Sequence, residues 1–177
     1  MNRLDFAISQ MRKYGFEEQV LSPVPSWVEI GKHCMIHENV MLGTEGFGYE
    51  RDCEGIPIHI VHSGKLIIGN EVHIYPYTTI NRATVDKTII GNYTVIDHHC
   101  HIGHSSIIGK RNIICAGTII CGSVVIGDDC WLGAGCIIKQ KVKIGNNVTI
   151  GAGAVVVKDV PDGTTVAGVP ARSLTFK

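Results

Sequence analysis

Residues 90–156 fall into blocks of six that read IGNYTV IDHHCH IGHSSI IGKRNI ICAGTI ICGSVV IGDDCW LGAGCI IKQKVK IGNNVT IGAGAV V. Each block opens on an aliphatic residue, from Ile90 at the start to Val156 at the end. Glycine often follows it, and the fifth position is small or β-branched, as in Thr94 and Cys100. A period of six fits neither an α-helix, at ~3.6 residues per turn, nor a lone alternating strand.

A parallel β-helix accounts for this period, because its short strands stack on the coils above and below them. Each block then forms one flat side of a triangular coil, with its aliphatic residue pointing inward. The following glycine is expected at the corner with a positive φ, a conformation that glycine adopts without strain. Coils lie one strand spacing apart, about 4.8 Å. Since three blocks make one coil, residues 18 positions apart in the sequence are expected to be vertical neighbours.

The N-terminal flank of the repeat predicts a short helix. Leu4, Ile8 and Met11 are spaced along one helical face, which indicates a helix over residues 3–14 within an N-terminal segment 1–26. The rest is expected to be all-β: a left-handed parallel β-helix of hexapeptide repeats over residues 27–163, followed by a C-terminal tail over 164–177.

Two segments interrupt the period. An excursion loop is expected near residues 43–64, and residues 82–87 bulge out of a coil, since Ile80 and Ile90 are ten positions apart. A long aperiodic stretch in a compact solenoid usually serves a function or is disordered. Phe47 and Tyr49, set between glycines, favour a loop that folds back onto the body.

Composition excludes several classes of function. The 16 basic and 16 acidic residues balance, which argues against nucleic acid and anionic membranes as partners. No apolar run approaches the ~18 residues of a membrane span, and no membrane insertion is expected. The seven cysteines form no CxxC pair, and four of them take the small fifth position of a block. They are interpreted as reduced, structural thiols of a cytoplasmic protein.

Four of the nine histidines lie in the segment DHHCHIGH, residues 97–104. One interpretation is a solvated surface, and another is a set of substrate-binding side chains. A third is general-base catalysis, since an imidazole with a pKa of ~6.5 accepts a proton at neutral pH and Asp97 is placed to orient it. A fourth is a zinc site of the carbonic anhydrase kind using His99, His104 and a third ligand such as His73.

The sequence resembles one family, the UDP-3-O-acylglucosamine N-acyltransferases of lipid A synthesis, over roughly residues 40–125. The segments that carry the resemblance are Gly46-Phe47-Gly48-Tyr49, Ile56-Pro57, Thr79-Ile80-Asn81-Arg82, Asp86-Lys87-Thr88-Ile89-Ile90-Gly91, Ile96-Asp97 and Cys100-His101-Ile102-Gly103-His104. They include both interruptions of the repeat, so the match is more specific than the repeat alone.

This resemblance implies roles for individual residues. His104 matches the general base, Asp97 the residue that supports it, and Gly122 the glycine whose backbone N–H binds the oxyanion. The residues expected to bind the acceptor are Phe47, Tyr49, Asn81, Arg82, His98 and His101. The resemblance also implies a homotrimer with its sites in the clefts between subunits.

The chain departs from this family in several places. It has Asn81 where the family has aspartate and His98 where the family has asparagine. The family's N-terminal nucleotide-binding domain and C-terminal helical extension have no counterpart in these 177 residues. The end of the chain, residues 151–161 with Gly168-Val169-Pro170-Ala171, resembles instead the coenzyme-A-dependent sugar and antibiotic acetyltransferases.

Stacking by 18 residues also predicts a cofactor groove above the histidines. Along one corner the third and fourth positions of successive coils carry only alanine and glycine, which exposes backbone polar groups and lets another chain lie close. A pantetheine arm is such a chain, with its thioester near His104 and its phosphates near the basic residues above. The residues expected to bind acyl-CoA are Ala116, Gly117, Ala134, Gly135, Gln140, Ala152, Gly153, Lys158 and Arg172.

The sequence therefore predicts an N-acyltransferase that moves a short acyl group from acyl-CoA, most simply acetyl-CoA, to a primary amine. The expected acceptor is a nucleotide-linked amino sugar, with His104 as base and no metal. Two alternatives stay open: a zinc-dependent β-helical enzyme of the carbonic anhydrase type, and a non-catalytic β-helical scaffold.

Overall fold

The computed structural model describes residues 19–174, which form β-strands joined by turns. The strands are β1 (Gln19–Val20), β2 (Val28–Ile30), β3 (Met35–Ile36), β4 (Met41–Thr44), β5 (Tyr49–Arg51), β6 (Pro57–His59), β7 (Lys65–Ile68), β8 (His73–Ile74), β9 (Thr79–Asn81), β10 (Lys87–Ile90), β11 (Val95–Ile96), β12 (His101–Ile102), β13 (Ile107–Ile108), β14 (Ile113–Ile114), β15 (Ile119–Ile120), β16 (Val125–Ile126), β17 (Trp131–Leu132), β18 (Ile137–Ile138), β19 (Lys143–Ile144), β20 (Thr149–Ile150), β21 (Val155–Val156), β22 (Thr165–Ala167) and β23 (Arg172–Ser173). No helix occurs among these residues, and the helix predicted for residues 3–14 lies outside them.

Twenty-one of these strands stack into three sheets that form the sides of a triangular solenoid. One sheet has the order β1-β3-β8-β11-β14-β17-β20-β22-β23, the second β19-β16-β13-β10-β7-β2, and the third β21-β18-β15-β12-β9-β4. The pairs between coils are parallel, and only β23 joins antiparallel, at the C-terminal end. His101 pairs with Ile119, and Ile119 with Ile137, so the 18-residue rule holds across successive coils.

The inside of the solenoid is the stack of aliphatic residues that the period predicted. Every first-position residue from Ile90 to Val156 is buried. The fifth-position residues Thr94, Cys100, Ser106 and Cys136 are buried beside them, and burial raises the pKa of Cys100 to about 11. Burying each isoleucine side chain contributes roughly 1.5–3 kcal/mol of stability. Every coil repeats this inward burial, and the repeated contributions together stabilise the solenoid.

The expected reason for the glycines was wrong. Positive φ occurs at the fourth position of each block, where the described residues include twelve non-glycine examples such as His99 at 57°. The glycines after the aliphatic residue serve close packing between coils. A Cβ on Gly91 would lie 2.5 Å from the backbone of Gly109, and a Cβ on Gly103 would lie 2.6 Å from the nitrogen of Gly122.

The excursion loop is a hairpin rather than an irregular stretch. β5 pairs antiparallel with β6, with Tyr49 opposite His59. Asp52 closes the turn, since its Oδ1 accepts the N–H groups of Glu54 and Ile56 at 2.9 Å each. The insertion does not interrupt the stacking of the coils, because Met41, which precedes it in the chain, pairs directly with Thr79, which follows it.

The solenoid extends beyond the predicted boundaries of residues 27 and 163. β1 pairs with β3 at the N-terminal end, and β22 pairs with β20 at the other. The tail therefore continues one sheet and covers the last coil. None of the described residues forms a helix that is long and apolar enough to cross a membrane.

Candidate functional site

His104 lies at a corner of the solenoid, directly after β12, with its ring against Gly122 one coil above. A Cβ built on Gly122 would lie 2.5 Å from Nε2 of His104, so the ring occupies space that any larger residue would fill. Nδ1 of His104 is 3.3 Å from Oγ1 of Thr84 in the bulge. When Nδ1–H donates to Thr84, Nε2 carries the lone pair and faces the Gly122 corner.

The backbone N–H of Gly122 has no acceptor within the described part of the chain. At another corner of the solenoid, three successive third-position residues, Lys110, Asp128 and Asn146, do have acceptors for their backbone N–H groups. Side chains one coil above accept their N–H groups, as Asp128 does for Lys110 and Asn146 does for Asp128, each at 2.8 Å. An unpaired N–H beside Nε2 of a histidine is the arrangement that stabilises an oxyanion next to a general base.

His62 also belongs to this site, although neither the repeat nor the resemblance singled it out. Its ring is 5.0 Å from that of His104, edge to face. Gly46 brings the loop backbone across both rings, since a Cβ there would lie 2.7 Å from Nε2 of His62 and 2.8 Å from Cδ2 of His104. Burial lowers the pKa of His104, and the neighbouring His62 and His101 lower it further.

Asp97 pairs with the histidine that follows it in the chain. Its Oδ1 is 2.6 Å from Nδ1 of His98 and accepts the backbone N–H of His98 at 2.7 Å. The hydrogen bond from His98 lowers the pKa of the Asp97 carboxyl. Support of His104 by Asp97 stays a prediction, because Thr84 holds the His104 ring here. His101 is half-buried on β12, and burial lowers its pKa.

Asn81 and Arg82 hold the two ends of the excursion loop. Asn81 is buried, and its Nδ2 donates to Oγ1 of Thr44 at 2.8 Å and to the carbonyl of Glu45 at 3.0 Å. Nε of Arg82 donates to the carbonyl of Gly64 at 2.9 Å, while its guanidinium lies 4.5 Å from the centre of the Trp27 ring. The structure thus gives both residues a positioning role, and their contact with substrate stays a prediction.

The two aromatic residues of the loop face outward. Phe47 is 91% exposed and Tyr49 is 50% exposed. Their rings are 5.0 Å apart, and that of Tyr49 is 5.2 Å from the ring of His59. Phe47 therefore does not pin the loop to the body of the chain, and its ring is open to solvent.

The alanine-glycine edge is present above the histidines. Gly117, Gly135 and Gly153 all have a φ of 67–69° at the fourth position. The backbone N–H groups of Ala134 and Ala152 have no acceptor within residues 19–174. The upper part of this edge therefore offers open donors, as the groove prediction requires.

Two basic residues meet at the top of the solenoid. Lys158 and Arg172 line the same cleft of about 250 Å³, formed between the last coil and the C-terminal tail. The other residues lining this cleft are Val156, Asp159, Val160, Pro161, Thr164, Val166, Ala171 and Ser173. Gln140 lies one coil above Gly122 and one coil below Lys158, so it stands between the histidines and this cleft.

The histidines of the alternative zinc site, His73, His99 and His104, are not brought together as a set of metal ligands. His99 stacks on Tyr77 with ring centres 5.1 Å apart, at a different corner from His104. Among the described residues one group brings metal-binding atoms together, and it consists of Glu45, His59 and His62 on the excursion loop.

Comparison with known proteins agrees with this architecture. Residues 123–158 match the family model of the bacterial transferase hexapeptide (six repeats). A UDP-3-O-acylglucosamine N-acyltransferase of Methylococcus capsulatus is 40% identical over 68 residues, which are 38% of this chain and 19% of that protein. One from Rhizobium meliloti is 43% identical over 67 residues, again 38% and 19%. The match thus spans about a fifth of the length of these curated relatives.

Solved structures extend the similarity to most of the chain. The UDP-N-acetylglucosamine acyltransferase of Arabidopsis has a TM-score of 0.68 at 29% identity, covering 83% of this chain and 57% of that one. The UDP-N-acetylglucosamine O-acyltransferase of Moraxella catarrhalis also has a TM-score of 0.68, at 24% identity, over 83% and 62%. The chain is therefore a hexapeptide-repeat protein with the left-handed parallel β-helix fold, related over part of its length to the UDP-3-O-acylglucosamine N-acyltransferases.

Proposed function

We propose that the protein is an N-acyltransferase whose reaction takes place between His104 and Gly122. The observation that carries the proposal is the close approach of the His104 ring to Gly122 one coil above, whose N–H has no acceptor within residues 19–174. The neutral amine of the acceptor attacks the thioester carbonyl carbon, and Nε2 takes the proton that the nitrogen loses. Gly122 N–H donates to the oxyanion. The C–S bond then breaks, and the thiolate leaves with the proton from His104.

We assign the donor to the acyl-CoA class, in particular acetyl-CoA. The open N–H groups of Ala134 and Ala152 suit the amide carbonyls of a pantetheine arm, and the missing side chains leave room for it. The cleft that holds Lys158 and Arg172 provides two cations for the phosphates at the far end. The arm then runs down the alanine-glycine edge with its thioester at Gly122.

We assign the acceptor to nucleotide-linked amino sugars. The matching relatives are named as N-acyltransferases of a UDP-linked glucosamine, which supports a primary amine on a sugar nucleotide. Phe47 and Tyr49 offer exposed rings beside the site, suited to a nucleobase or a sugar face. His98 and His101 complete the expected set of acceptor contacts.

We further propose a homotrimer, since residues 19–174 of one chain leave the site an open corner that does not enclose a substrate. A neighbouring subunit packed along the alanine-glycine edge would close it. Light scattering of the purified protein at micromolar concentration is expected to give three times the chain mass of 19.2 kDa. A monomeric mass would count against a site between subunits.

His104→Ala tests the catalytic assignment. We expect kcat to fall by a factor of about 10²–10⁴, with the KM for acyl-CoA little changed. His33→Ala, at an exposed histidine away from the site, is the control and should retain full activity. Full activity in His104→Ala would remove His104 as the base.

A further inference from the structure

We propose that Glu45, His59 and His62 bind one divalent transition-metal cation of the zinc class, which fastens the excursion loop over the candidate site. One carboxylate oxygen and one nitrogen from each ring lie within 4.8 Å of one another. Nε2 of His59 and Oε2 of Glu45 are 3.5 Å apart. The group lies outside the histidine segment 97–104, and neither the repeat nor the resemblance to the acyltransferases accounts for it.

His62 supplies the second, independent observation. Its side chain is buried, with 2% of the residue exposed, and neither Nδ1 nor Nε2 has a hydrogen-bond partner in the described structure. A buried polar group left without a partner destabilises the fold. A cation bound by one of these nitrogens would give it a partner, and the other two ligand atoms lie within 4.8 Å of it.

The local fold explains how the three residues come together. The β5–β6 pairing places His59 opposite Tyr49, at the base of the hairpin. Gly46 and Gly48 let the first strand pass close over His62, since Cβ atoms there would lie 2.7 Å from its Nε2 and 3.0 Å from its Cε1. Asn81 holds the carbonyl of Glu45, which fixes the start of the loop. The ligands therefore come from the segment before β5, from the end of β6 and from the segment that returns to the coil.

The ligand types select the class of cation. Two imidazoles and one carboxylate suit zinc and its first-row neighbours, whereas magnesium and calcium prefer oxygen ligands. With metal–ligand distances of about 2.0–2.2 Å, ligand atoms in a tetrahedral site lie about 3.3–3.5 Å apart. The His59–Glu45 pair already has this spacing, so binding needs His62 and the hairpin to close by about 1 Å. Three protein ligands leave a fourth position for water.

This inference goes beyond the proposed function and does not depend on it. The acyl transfer at His104 uses no metal, and the ion would act by holding Phe47, Tyr49 and the loop backbone beside the His104 ring. Metal binding and loop protection are measured without an acyl donor or acceptor. A failure of the acyltransferase proposal therefore leaves the metal site standing, and the reverse also holds.

The test is zinc binding to the whole protein after treatment with a chelator and desalting. We expect one zinc per chain by titration calorimetry and by elemental analysis, and a visible d–d spectrum when cobalt replaces zinc. Zinc should also slow hydrogen exchange in residues 43–64. His59→Ala and Glu45→Gln should each weaken zinc binding by about tenfold or more and abolish this protection, since a lost ligand costs at least as much as a lost outer-shell partner.

Glu50→Gln and His33→Ala are matched controls, one on the same hairpin and one on the solenoid surface, and both should bind zinc as the wild type does. Less than one-tenth of an equivalent of zinc in the wild type would overturn the proposal. Binding that survives both His59→Ala and Glu45→Gln but is lost in His104→Ala would also overturn it, because the ion would then belong to the catalytic histidine.

Discussion

Replacing Gly122 with alanine tests the contact between the two central residues of the proposed site. The new Cβ would lie 2.5 Å from Nε2, 2.8 Å from Cε1 and 2.9 Å from Cδ2 of His104. Carbon and nitrogen atoms in contact lie about 3.5 Å apart or more, so the ring must retreat by about 1 Å. A misplacement of 1 Å at a reacting group lowers the rate about 100-fold, equivalent to about 3 kcal/mol of transition-state stabilisation.

Gly122→Ala keeps the backbone N–H and needs no positive φ, so it separates the position of His104 from the oxyanion donor. The assay is steady-state formation of the N-acyl product, followed by mass spectrometry, with thermal unfolding as a check on the fold. The double variant Gly122→Ala/His104→Ala should be no more than about twofold slower than His104→Ala alone, because both changes remove the same interaction. A Gly122→Ala enzyme with wild-type kcat would refute the argument.

The remaining predictions concern the loop, the groove and the core thiols. Phe47→Ala should raise the acceptor KM while changing the free energy of unfolding by no more than about 0.5 kcal/mol, because the side chain is 91% exposed; an unchanged KM would exclude contact with the acceptor. Ala134→Trp should abolish acyl-CoA binding in a folded trimer, and native affinity measured by calorimetry would place the groove elsewhere. Cys53 is exposed and should react first with a thiol reagent, a phase that Cys53→Ser removes, whereas Cys100 should react only on unfolding. Because burial raises the pKa of Cys100 to about 11 while an unfolded thiol titrates at ~8.5, this group stabilises the fold below pH ~8.5, and chemical denaturation should show that stability being lost as the pH rises towards 11.

Most of the solenoid can be predicted from the sequence, because every six-residue block buries its aliphatic residue in the same way. The inward residues from Ile90 to Val156 and their 18-residue stacking are confirmed, since only this arrangement buries one aliphatic residue in every block. The corner glycines show where reasoning from composition fails. A glycine can be required either for a positive φ or for close packing between coils. The close approach of Gly103 to the backbone of Gly122 shows that packing is the reason here.

The site was predicted in part. His104 and Gly122 came from the resemblance and from stacking by 18, and they lie in contact. His62 and Thr84 were missed, because each reaches His104 through an interruption of the repeat, where sequence distance gives no measure of spatial distance. The antiparallel pairing of Tyr49 with His59 has no six-residue signature, so the hairpin and its ligand group emerge only in three dimensions.

The most direct test of acyl transfer at His104 is mass spectrometry of the reaction products. Purified protein is incubated with acetyl-CoA and a panel of nucleotide-linked amino sugars, alongside His104→Ala and the His33→Ala control. Acyl transfer at His104 requires an acetylated amine and one free coenzyme A per product with the wild type and the control, and a loss of about 100-fold or more with His104→Ala. Absence of an acetylated amine with every acceptor, or undiminished product with His104→Ala, would contradict it.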